Sequence, residues 1–121
     1  MIKIKKGVKM HGLKQPMMKP LRLLDCIFQI IGIDLVITDA IAKREGRSLH
    51  PDGFAFDFRT RHLTPSQASV IFVILTQQLG NDYDVIKYDT HIHIEYQRHI
   101  DDNKQISFIS AFGMDKFTEV S

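Results

Sequence analysis

A single cysteine, no apolar run of membrane-spanning length and a net charge of only +2 set the first limits on this 121-residue chain. One cysteine closes no internal disulfide, so nothing points to an oxidising compartment. Cys26 sits in the run Leu23-Leu-Asp-Cys-Ile-Phe28 and reads as a small buried hydrophobe on a helix, in preference to a nucleophile or metal ligand. A transmembrane helix would need about 18 or more consecutive apolar residues, and none is present. The start, Met1-Ile-Lys-Ile-Lys-Lys6, has basic residues but no apolar stretch behind them, which argues against a secretory signal and places the chain in the cytoplasm at synthesis. Repeats, low-complexity segments and linkers are also missing. The small net charge argues against nucleic acid as the partner.

What is present fits one domain spanning 1–121, with one core. Lys3, Lys5, Lys6, Lys9, Lys14 and Lys19 crowd the first twenty residues. Residues 1–19 therefore read as a basic N-terminal arm, either a solvated and partly mobile terminus or a contact for an anionic polymer. Within it, Ile2, Ile4 and Val8 alternate with lysines as in an edge strand. Pro20 suits the first position of a helix that runs to about Ile31, with Leu23, Leu24, Ile27, Phe28, Ile30 and Ile31 at helical spacing and Gly32 as the stop. Residues 35–42 are rich in β-branched side chains and predict a strand. Phe54–Phe58 predicts another, with the three phenylalanines on one face and Ala55 and Asp57 on the other. Thr64-Pro-Ser-Gln67 is a helix start with a capping box, and its helix should continue through Val70, Phe72, Val73 and Leu75 to Leu79. Residues 84–97 alternate as one long strand, with a break near Asp89 as the alternative. The segment 100–121 has no clear pattern and is open to one further strand or helix, or to fraying. The order predicts an α+β fold: a small antiparallel or mixed sheet flanked by two or three helices.

Two runs carry chemistry. Residues 48–57 hold His50 and Asp57 with six residues between them, and Asp89-Thr-His-Ile-His-Ile-Glu95 adds His91 and His93. Two or three imidazoles and one carboxylate suit a catalytic zinc ion with an open coordination position for water. Period two puts His91, His93 and Glu95 on one strand face and Ile92, Ile94 and Tyr96 on the other. Pairing this strand with Phe54–Phe58 would set Asp57 beside His93, with His50 arriving from the preceding loop. Gly53 would let that loop turn tightly. Arg47, Arg59 and Arg61 flank the first run, and one of them would suit a substrate carboxylate. Ser48 would orient the loop or touch substrate, since no Ser-x-x-Lys or Gly-x-Ser-x-Gly context makes it a nucleophile. Glu95 would either hold His93 from behind or serve as a cross-strand surface charge. His11, His62 and His99 read as surface histidines.

The pattern Ser48-x-His50-x-x-Gly53-x-Ala55-x-Asp57, followed by His91-x-His93, resembles the signature of the zinc D-Ala-D-Ala carboxypeptidase and L-alanyl-D-glutamate endopeptidase family, which includes phage endolysins and is related in structure to the hedgehog signalling domain. The resemblance covers about residues 20–97. It implies a hedgehog-like fold, Zn2+ as cofactor, and His50, Asp57 and His93 as the metal ligands. His91 would stabilise an oxyanion or orient water. The substrate would be peptidoglycan or its stem peptides, met by a monomer with no membrane span, after release from the cell if the chain is a phage lysin. Many members place an acidic general base three residues before the metal-binding histidine. Thr90 stands there in this chain. The nearest upstream acid, Asp89, is the candidate base, although on a regular strand it lies about 13 Å along from His93 unless a bulge at Thr90 shortens the path. The competing expectation is a zinc-binding or phage structural module that keeps its ligands without catalysis.

Overall fold

The computed structural model describes residues 2–41, 53–97 and 117–120. Chain order runs β1 (Ile2–Lys5), α1 (Met18–Ile31), β2 (Leu35–Ile41), β3 (Ala55–Arg59), α2 (Pro65–Leu79), β4 (Tyr83–Lys87), β5 (His91–Tyr96) and β6 (Phe117–Val120). The six strands make one mixed sheet in the order β4-β5-β3-β2-β1-β6. β1 runs parallel to both β2 and β6, and the β2–β3, β3–β5 and β4–β5 pairs are antiparallel. The described residues therefore make an α+β fold, with two α-helices on a mixed sheet. No helix among the described residues is long and apolar enough to cross a membrane.

Local chemistry explains both helices. A short 3₁₀ turn at Gln15–Met17 leads into α1, and Pro20 falls in the first turn, where a missing N–H leaves no bond unmade. At the other end Gly32 adopts φ 71°, and Ile33 N–H reaches back to the Phe28 carbonyl at 3.1 Å, a left-handed stop that suits glycine. α2 starts on the expected capping box: Gln67 N–H donates to Thr64 Oγ1 at 3.1 Å, and Thr64 N–H donates to Gln67 Oε1 at 2.9 Å. Leu21, Leu24 and Phe28 from α1 join Ile71, Leu75 and Leu79 from α2 in one core with Phe54, just before β3, and with Phe56, Phe58, Ile92 and Ile94 of the sheet. Phe28 meets Phe58 edge to face at 6.0 Å, a favoured aromatic geometry. Burying each such side chain contributes about 1.5–3 kcal/mol.

Several expectations are corrected. The first nineteen residues are not an arm: Ile2, Met10, Leu13 and Met17 are core residues, and Lys14 N–H donates to the Gly53 carbonyl at 2.8 Å. β1 is not an edge strand, because β6, from the segment that had no clear pattern, pairs along its free side. The long strand over residues 84–97 is a hairpin, β4 and β5, that reverses at 88–90. Cys26 is exposed, since positions two from Leu24 and two from Phe28 fall on the far side of α1. Ile30 is 78% exposed and Val70 56% exposed, so the apolar stripes of both helices are narrower than their sequences suggest.

Candidate metal centre

The core face fixes the register of β3 on β5, and the register builds the site. Phe56 pairs with Ile94 and Phe58 with Ile92 on the core side. On the other side, the same alternation sets Asp57 opposite His93, Arg59 opposite His91, and Ala55 opposite Glu95. β2 adds to this face through an irregularity. Ile37 pairs with Phe58, but the next pairing is Asp39 with Asp57, which leaves Thr38 as an extra residue. Such a bulge re-aims side chains, and Thr38 and Asp39 both line the cleft beside Asp57. That cleft measures about 330 Å³ and is also lined by Lys5, Arg59, Arg61, Thr90 and His91.

Gly53 has a structural reason for its place in the motif. Its φ is +89°, and a Cβ there would overlap the Gly12 carbonyl oxygen. Only glycine takes both the conformation and the close approach without strain. The backbone entering β3 is thereby pinned to the segment that precedes α1.

Asp57 and His93 are half-buried, each with 14% of its side chain exposed. Asp57 Oδ1 lies 2.6 Å from His93 Nδ1, and Glu95 Oε1 lies 3.1 Å from His93 Nε2. One imidazole thus sits between two carboxylates. Burial is the largest influence on its pKa and pulls it down. The hydrogen bonds to Asp57 and then Glu95, together with their negative charges, outweigh burial and leave His93 above its ordinary value of 6.5. If the ring is neutral and donates Nε2–H to Glu95, Nδ1 turns a lone pair toward the Asp57 carboxylate. Those converging electron pairs need a cation between them, either a proton or a metal ion.

His91 is more open. Its Nε2 lies 3.8 Å from Asp57 Oδ2, its Nδ1 lies 3.0 Å from Thr90 Oγ1, and its ring stacks on Tyr88 at 4.8 Å. Asp57 therefore has one oxygen toward each histidine.

Of the sequence-derived site residues, Asp57, His91 and His93 come together, Glu95 joins them, and Arg59 and Arg61 line the adjoining cleft. Asp89 sits exposed on the β4–β5 turn and is not among the residues lining that cleft. Arg47, Ser48 and His50 lie outside the described residues. Among the described residues, no three His, Cys, Asp or Glu side chains form a complete metal site. Asp57 and His93 supply one oxygen and one nitrogen donor of the kind zinc takes, so the donor chemistry fits for the two ligands in view. Lys5 stood out only as one of the N-terminal lysines, and Thr38 and Asp39 not at all. The signal for the latter two was a pair of consecutive polar residues interrupting an apolar strand. Comparison with family models, curated proteins and solved structures finds no match for this chain.

Proposed function

We propose that this chain is a zinc-dependent peptidase of the hedgehog-like type, which hydrolyses peptidoglycan stem-peptide bonds as a carboxypeptidase or endopeptidase. The observation that carries the reading is the pairing of Asp57 with His93 across β3 and β5, with Glu95 behind the imidazole. These are two of the three ligands implied by the sequence motif, set in contact by the strand register, and His50 is the third. Zinc held there would supply Lewis acidity at neutral pH.

The chain's own residues have separable tasks. Glu95 accepts from Nε2 of His93 and so presents Nδ1 to the metal side, the arrangement in which an outer carboxylate orients a ligating histidine. Asp57 supplies the oxygen donor. His91, with one ring nitrogen at Thr90 and the other toward Asp57 and the cleft, is placed to hold or pass a proton at Nε2. It takes that role in preference to Asp89, which stands out at the turn. Arg59 faces the cleft for substrate, and Arg47 and Ser48 belong to the same substrate-binding reading through the motif. The enzyme works as a monomer on wall peptides, reached after release from the cell interior if it is a phage lysin.

Incubation of zinc-loaded protein with peptidoglycan or its stem peptides should release new amino termini. Cleavage should vanish with chelator and in His93→Ala. Stoichiometric zinc without cleavage of any wall peptide would sink the peptidase and leave the alternative, a non-catalytic zinc-binding or phage structural module. Thr90 in the place of the family's acid favours that second reading.

A further inference from the structure

The two helices leave an apolar groove on the side of the molecule away from the site. Ile27, Ile30 and Ile31 of α1 and Val70, Ile71 and Ile74 of α2 line it, and it measures about 360 Å³. Ile71 is buried, whereas Ile30 and Val70 stand exposed. Asp57 and His93 lie on the other face of the sheet, beyond Phe56 and Phe58. Surface helices normally turn charged side chains outward. Here α2 has no charged residue anywhere in Pro65–Leu79, and α1 has none from Cys26 to Ile31. In a chain that is 25% charged, such a stretch is out of keeping with the rest of the surface. The outward polar positions of α2 carry Ser66, Ser69, Gln77 and Gln78 instead.

An exposed apolar patch with a polar rim marks an interaction surface, and depletion of charge marks the centre of an interface. A charged partner would lose its hydration on this face and find no counter-charge to replace it. A second copy of the chain meets no such cost. In a two-fold pair, residues near the axis face their own images. A charge there would meet its like, but serine and glutamine can donate from one copy and accept in the other. The shape suits its own image as well. Each copy offers a groove and two raised side chains, Ile30 and Val70, to fill the groove of the other.

We infer that this groove is the seam of a weak two-fold dimer, in which α1 and α2 of one chain pack on α1 and α2 of a second copy. The inference goes beyond the peptidase reading and does not depend on it. The helices have 14 and 15 residues. Side by side, at about 21 Å long and about 10 Å apart, they offer about 400 Å² per copy. The total of about 800 Å² falls short of the roughly 1,200 Å² at which stable interfaces begin, so the pair should be micromolar in affinity or weaker. It comes apart on dilution, and the monomer is the form that meets substrate. The clefts beside Asp57 face away from the seam, so pairing closes neither.

Sedimentation velocity of the full chain from about 1 µM to about 1 mM brackets such an affinity. The weight-average coefficient should climb from the monomer value toward that of a dimer. Ile30→Lys and Val70→Lys should each raise the dissociation constant about tenfold or more, because the new charge meets its own image across the axis. Both side chains are exposed, so the fold and the urea midpoint should hold. Lys87→Gln, on β4 at the far edge of the sheet, should change nothing. Cys26 is exposed one turn before Ile30, and it is the chain's single cysteine. A nitroxide placed there should broaden the amide signals of Ile30 and Val70 in an unlabelled, ¹⁵N-enriched partner. A monomer at every concentration overturns the dimer seam. So does a dimer that either lysine variant leaves intact, or broadening confined to β4 or β6, which would put the contact at a sheet edge. Vesicles of phosphatidylcholine supply the other occupant. Their capture of a protein that stays monomeric, lost in both variants, overturns the second copy and gives the face to lipid.

Discussion

Phe56, Phe58, Ile92 and Ile94 lie on one face of β3 and β5, and Asp57, Arg59, His91, His93 and Glu95 lie on the other. The two sets alternate along the same backbone, so neither can move without the other. A slip of one residue between these strands would expose the phenylalanines and bury the charges. The apolar face therefore supplies the accuracy of the polar one. Asp57 meets His93 because Phe56 and Phe58 hold their places in the core.

Substitutions that damage one face and spare the other test that division. Phe58→Ala should cost the most stability, about 3–5 kcal/mol in denaturant unfolding. Asp57→Asn keeps its shape and should cost only about 1 kcal/mol, yet zinc binding should fall by more than the 10–100-fold typical of an outer partner. If Asp57→Asn unfolds as readily as Phe58→Ala, the faces are not separable in this way. Glu95→Gln should weaken zinc by about 10–100-fold with the core intact, read by competition with a chromogenic chelator.

Protons probe the polar face more gently. Folding raises the pKa of His93 above 6.5. In metal-free protein the stabilisation from its two carboxylates is thus complete below about that pH and lost as pH rises through the folded-state value. Zinc affinity should move the opposite way, because proton and metal compete for Nδ1. Urea midpoints and zinc titrations across neutral pH check both trends, and His93→Gln should flatten the first. The smallest effect belongs to Asp89→Asn, which should leave stability within about 0.5 kcal/mol and cleavage unchanged. A large loss of cleavage would return Asp89 to the role of base.

Features of the chain that depend on neighbours in sequence were legible in advance. The Thr64 capping box, the Gly32 stop and the period-two faces of residues 54–58 and 91–96 all follow from local geometry. The pairing of Asp57 with His93 was also legible, because each strand has one apolar face and only one way to bury it. Features set by distant partners were not. Nothing in Ile2–Lys5 announces that β6 will cover its far side, and nothing in Ile30 or Val70 announces that the core will stop short of them. The Thr38 bulge was hidden because a β-branched run scores as a regular strand whether or not it carries an extra residue. The place of Asp89 turned on the hairpin reversal, which lacks the glycine-rich pair that usually marks a tight turn.

The interior position of β1 has a bearing on how the molecule comes into being. Ile2 pairs with Phe117 and Lys5 with Val120, so β1 leaves the ribosome long before its β6 partner does. Pairing over such separations is slow. In the interval β1 shows a bare flank on which Lys3 and Lys5 would discourage strangers. Lys5 lines the cleft beside Asp57 in the finished fold, so a side chain that guards the growing sheet ends on the wall of the site.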